Sequence, residues 1–161
     1  MASIKSVHNT HIKTDLRMIH RAVLDILGVM NQPQRDTMMI EEAGISLDRA
    51  LFPLLVGIGR FGPIGVVDLA DCVGRDYTTV SRQVAKLESL GLVERRAAQA
   101  DQRVREAIIT GKGREMTDAI DIARDRIMSS MLADWSPEDI EMLARLIRRL
   151  ADSAITLSRA G

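Results

Sequence analysis

The chain has 161 residues, 46% hydrophobic and 27% charged, with 22 basic residues against 22 acidic ones. That length suits one domain with an enclosed core, and the balance excludes both wholesale disorder and a uniform electrostatic pull toward any partner. A single cysteine excludes an internal disulfide, no run nears the roughly 18 apolar residues of a membrane span, and 2% aromatics disfavour β-rich single-strand binders, which stack bases on aromatic platforms.

The opening MASIKSVHNTHIKTD lacks the apolar stretch of a secretory signal; with the lone thiol, this predicts a cytoplasmic protein. Ile12, Leu16, Ile19, Val23, Ile26 and Met30 then recur at steps of 4 and 3, a near-heptad helical stripe. Pro33 stops it by removing an amide donor. Residues 31–45 read as a connector, with Met38, Met39 and Ile40 available to pack. Ser46 is expected to cap a second helix that turns Leu47, Leu51, Leu54, Leu55 and Ile58 inward, with Pro53 kinking or dividing it.

Residues 64–74, IGVVDLADCVG, predict a short helix closed by Gly74. Asp76 caps the next, over 77–90, with Val80, Val84 and Leu87 as its buried stripe and Gly91 at its end. Two short helices joined by a tight glycine turn form a helix-turn-helix. Residues 92–97 and 104–109 are strand-length runs around a polar turn at 99–103, a β-hairpin. Thr110 caps a long helix over 113–133, with Met116, Ile120, Ala123, Ile127 and Met131 on one side. Ser136-Pro137-Glu138-Asp139 starts a last helix carrying Ile140, Leu143, Ile147, Leu150, Ala154 and Leu157. No internal repeat or low-complexity tract interrupts this order. The end stripes are wider than one chain needs. A self-contained bundle would be the plain explanation; the preferred expectation is a homodimer in which both ends pair with a second copy.

Helix-turn-helix, hairpin and long helix in succession make a winged helix-turn-helix. VVDLADCVGRDYTTVSRQVAKLESLGLVERR resembles the central segment of the MarR family of bacterial transcription regulators. ADQRVREAIITGKGREM resembles that family's wing-to-helix segment, with Asp101, Arg103, Thr110 and Gly113 at matching spacing. The resemblance is sharp over 66–115 and architectural elsewhere. It implies a mainly α fold of the α+β winged helix-turn-helix kind. One domain would span 1–161, with a DNA-binding lobe at 46–112 and dimerisation helices at 10–31 and 113–160. The implied partners are double-stranded DNA, a second copy and a small-molecule effector of unspecified identity, with no membrane.

Net neutrality hides a separation of charge. Over 74–114, nine basic residues meet five acids, a net of +4; the remainder carries −4. Such a chain can turn a basic face toward phosphates, although solvated helices also produce fluctuations of this size. On the 77–90 helix, removal of the core stripe leaves Thr78, Thr79, Ser81, Arg82, Ala85 and Lys86 outward. An α-helix fits the major groove of B-DNA, and Arg82 can donate two hydrogen bonds to guanine. Thr78, Thr79 and Ser81 can reach bases or phosphates, and Lys86 and Tyr77 suit phosphate. Thr79 can equally serve only to complete the Asp76 cap. By resemblance, Arg103 at the wing tip enters the minor groove and Asp101 orients it; an exposed turn pair is the plain alternative. Arg95 and Arg96, entering the wing, are phosphate candidates.

Catalysis finds no support: there is no glycine-rich phosphate loop, nucleophile elbow or paired carboxylate motif, and no cofactor is expected. His8, His11 and His20 read as surface or interface residues rather than metal ligands. Cys72, beside Leu69, Ala70 and Val73, is expected to be a buried thiol. Met18, Met30, Met116 and Met131 fit core or dimer packing. By resemblance, an effector pocket would draw on 12–30, 47–61 and 113–131. The sequence thus predicts a repressor that binds a pseudo-palindromic operator as a homodimer and is released by an effector. The alternatives are a winged-helix protein-interaction module and a non-specific architectural DNA-binding protein.

Overall fold

Pro33 ends one helix and opens another. In the computed structural model, which describes residues 2–100 and 103–160, α1 (Ala2–Met30) stops short of it and α2 (Pro33–Glu42) begins on it. Gln32 is extended (φ −71°, ψ 127°), and at a first helical position the missing amide removes no bond. The expected connector over 31–45 is therefore largely helix, and Met39 is its buried residue. Pro53 behaves alike. It falls in the first turn of α3 (Phe52–Phe61), so no kinked helix starts at Ser46. Residues 46–51 form a loop in which the Ala50 N–H donates to Asp48 Oδ1 at 2.8 Å.

β1 (Ile64–Gly65) precedes α4 (Val66–Val73), where helix alone was expected. A strand of two residues carries no hydropathy period. It pairs antiparallel with β3 (Arg105–Ile109), Ile64 opposite Ala107, and β3 pairs with β2 (Val93–Ala97), giving the order β1-β3-β2. Between α4 and β2 lies α5 (Tyr77–Ser89). Gly74 (φ 64°) and Gly91 (φ 72°) close α4 and α5 in the left-handed conformation, which a side chain would strain.

The core is built from α3, α4, α5 and the sheet. Leu54, Leu55, Ile58, Leu69, Val80, Val84 and Leu87 have no exposed surface, and Leu51, Ile64, Val66, Ala70, Leu92, Val93 and Ala107 belong to the same cluster. Each such aliphatic side chain contributes about 1.5–3 kcal/mol by leaving water. The chain divides into two compact units, 1–120 and 121–161. α6 (Gly111–Met131) is capped by Thr110, whose Oγ1 accepts the Gly113 N–H at 3.1 Å. α7 (Pro137–Ala160) is capped by Ser136, whose Oγ accepts the Asp139 N–H at 3.1 Å.

The root of α6 is fastened to the end of α5. Lys112 Nζ donates to the Leu90 carbonyl at 2.9 Å and Thr110 Oγ1 to the Gly91 carbonyl at 2.7 Å. The Thr110 N–H reaches the Leu92 carbonyl at 3.1 Å. A Cβ at Gly113 would collide with that same Leu92 carbonyl, so the close approach requires glycine. The end helices differ from this centre. Every described side chain of α1 over 12–30 is exposed, and along α7 to residue 158 only Ala151 is half-buried.

Candidate nucleic-acid interface

The exposed surface of α5 follows from how the helix is held. Asp76 precedes it, extended, and Asp76 Oδ1 accepts the Thr79 N–H at 2.9 Å. Hydrogen bonds from Thr79, side chain first and backbone second, hold the Asp76 carboxyl below the usual carboxylate range. Val80, Val84 and Leu87 pin one face into the core. The opposite face then presents Thr78, Arg82 and Lys86, all exposed and each four residues apart. Tyr77, 56% exposed, stands at the helix start.

The other outward positions expected on α5 are less open. Thr79, Ser81 and Ala85 are half-buried, and Thr79 is engaged with the Asp76 cap. Arg82 Nε lies 3.4 Å from the Thr78 carbonyl, which leans the side chain along the helix. Arg75, in the turn, donates from Nη1 to the Ala50 carbonyl at 2.7 Å and to Gln83 Oε1 at 3.0 Å, so it ties the 46–51 loop to α5. Ser46, Asp48, Gln83 and Leu90 join Arg82 and Lys86 in lining a groove of about 490 Å³.

Along the wing, Arg96 is exposed and faces Glu106 across the strand pair. Arg103 is exposed at the described end of the hairpin. Asp101 lies outside the described residues. Arg95 is engaged within the chain: its guanidinium meets Glu88 of α5 at 2.6 Å. The sequence reading missed Glu88 because its partner lies seven residues on, across a glycine turn, where no helical spacing joins them. It also missed Arg75 and Lys112, whose acceptors are backbone carbonyls or distant in sequence.

A second concavity, about 700 Å³, opens between the end of α1, α2, α3 and the end of α4. Asp36, Arg49, Arg60, Arg75, Phe52 and Phe61 are among its lining residues. Burial pushes the Asp36 carboxyl up, against the opposing pull of Arg75 and Arg49. Met30 and residues from 31–36, 48–61 and 72–75 line the concavity; none from 113–131, one of the segments on which the expected effector pocket would draw, does. Cys72 lines it and is exposed, not buried as expected. The inward positions of α4 are Val66, Leu69 and Ala70, and Cys72 falls off that stripe. Among the described residues, no three histidine, cysteine or acidic side chains gather as a metal site, and no helix is long and apolar enough to cross a membrane.

The lobe matches known proteins. A family model described as HVO_A0114 matches residues 46–106. Two helix-turn-helix-type transcriptional regulators of Bacillus subtilis (strain 168) align with the chain. YxaD is 34% identical over 105 residues, covering 65% of this chain and 73% of its own. YdgJ is 30% identical over 112 residues, covering 70% and 68%. A solved MarR family protein from Bacillus stearothermophilus superposes with a TM-score of 0.68 at 20% identity, covering 91% of this chain and 97% of that one.

Proposed function

The chain belongs to the MarR family of helix-turn-helix, DNA-binding transcriptional regulators, and on that premise we propose that two copies read one pseudo-palindromic duplex. The observation that carries this reading is the exposed row of Thr78, Arg82 and Lys86 on a helix whose opposite face is fully enclosed. A rigid helix with its short and basic side chains outward suits the major groove. In this reading Arg82 contacts a base edge, while Lys86 and Tyr77 meet phosphates. Thr78 and Ser81 reach bases or backbone, and Thr79 chiefly supports the cap. Arg96 meets phosphate and Arg103 the adjacent minor groove, with Asp101 as its orienting partner.

Dimerisation over 10–31 and 113–160 is supported by the apolar residues that α1 and α7 leave in water. Ile12, Leu16, Ile19 and Ile26, and Ile147, Leu150 and Leu157, are all exposed in one copy. A monomer has little reason to keep seams of that length wet. The output is repression by occupancy of a promoter. A small-molecule effector binding the 700 Å³ concavity would release the DNA if it favours a geometry in which the two reading helices no longer fit the grooves.

The test is a titration of the full chain against duplexes selected from a random pool and against scrambled duplexes, across a salt series. Tight, salt-sensitive binding with a strong preference for an inverted repeat is expected. Equal affinity for both duplexes would replace this reading with a non-specific architectural binder. Binding to a protein partner and to no duplex would replace it with an interaction module.

A further inference from the structure

We propose that Glu88 is a positioning residue for DNA recognition, tying the wing to the reading helix through Arg95, which acts as a strut rather than as a phosphate contact. The inference rests on the wing and α5 acting together on DNA, and it assigns a role to a residue outside the contact row. Glu88 sits in the last turn of α5, and Arg95 is the third residue of β2. Glu88 Oε2 accepts from Arg95 Nη2 at 2.6 Å and from Nε at 2.8 Å, while Oε1 accepts the Arg95 backbone N–H at 3.2 Å. One carboxylate thus holds both the guanidinium fork and the main chain of the same residue. That geometry fixes direction as well as distance.

The backbone bond has a further cause. The Thr110 N–H bonds to the Leu92 carbonyl and the Ala98 N–H to the Val104 carbonyl at 2.9 Å. In an antiparallel ladder bonded and unbonded pairs alternate, so the Arg95–Ala107 pair is an unbonded one. The Arg95 N–H therefore points away from β3, out of the sheet edge, and Glu88 occupies that edge. Glu88 also feels Arg105 on β3, and the Arg95 hydrogen bond above all keeps its carboxyl below the usual range. Both side chains remain about one-third exposed (34% and 36%), so the pair is reachable by solvent but already committed.

A sign test separates the two roles. Glu88→Gln removes a negative charge from the DNA-facing lobe, so electrostatics alone predicts tighter binding to every duplex. The positioning role predicts binding about three- to fivefold weaker to a duplex selected by the wild-type chain, with affinity for random duplex unchanged or higher. Arg95→Lys, which keeps the charge but loses the fork, shows the same selective loss. Arg95→Gln leaves the slope of log affinity against log salt unchanged, and the charge-swapped pair Glu88→Arg with Arg95→Glu recovers part of the preference. Tighter binding of Glu88→Gln to both duplexes, no effect on either, or a slope reduced by about 0.9 in Arg95→Gln would overturn the proposal. A wild-type chain that binds selected and random duplexes equally would sink the operator reading instead. In that event the DNA-free chain still decides the tie: the Arg95 amide should exchange faster in Glu88→Ala, which removes its acceptor, and an unchanged rate would refute it.

Discussion

α5 and α1 carry the same kind of signal and meet opposite fates. Val80, Val84 and Leu87 repeat at helical spacing and lose all contact with water, whereas Ile12, Leu16, Ile19, Val23, Ile26 and Met30 repeat at the same spacing and stay exposed. Periodicity reports that a face is apolar; it does not report what covers it. Inside the lobe, neighbouring elements of the same chain supply the cover. Along α1 and α7 the stripe has the form of a core without the other half.

Leu87→Ala should cost the lobe about 2–5 kcal/mol in chemical denaturation, since the site is enclosed on all sides. A loss near zero would show that the enclosure does not bear on folding. Leu16→Glu should leave lobe stability within about 0.5 kcal/mol but shift the chain toward monomer in sedimentation, by about tenfold or more in dissociation constant. An unchanged assembly would remove the interface reading of α1. Arg82→Ala should reduce preference for the selected duplex by about 1–3 kcal/mol, while Lys86→Ala should weaken all duplexes alike and lower the salt slope by about 1. Exchange of those two signatures would reverse the assignment of base and phosphate.

The smallest effect concerns the cap. Because Asp76 titrates lower in the folded chain than its ordinary 3.8, it adds stability above that pH and loses it as pH falls through the lowered value. Asp76→Ala should therefore depress the thermal midpoint at neutral pH, and the difference from wild type should shrink in acid. A difference that grows in acid would contradict the cap geometry.

Within the lobe, sequence and structure agree where local chemistry decides. Asp76, Thr110 and Ser136 cap the helices they were expected to cap, and the β2–β3 hairpin occupies the two runs around its polar turn. The disagreements have physical causes. Pro33 and Pro53 each read as a helix breaker, yet the first turn of a helix is where a proline does no harm. β1 is too short to show a period, and it is fixed by Ala107 and Glu106, more than forty residues away. The exposed row of Thr78, Arg82 and Lys86 was legible because it is what remains when the core stripe of α5 is removed. The Glu88–Arg95 tie was not, because it joins a helix end to a sheet edge and belongs to neither period.

Gly113 deserves its place in the chain for a mechanical reason. With no side chain there, the Leu92 carbonyl nests against the first turn of α6 while Lys112 and Thr110 grip the carbonyls at the end of α5. The end of α5 and the start of α6 are thus locked together, so the pitch of α5 is machined into the start of α6. A single added methyl at that seam would act as a wedge, prising α6 from the end of α5 without touching Thr78, Arg82 or Lys86.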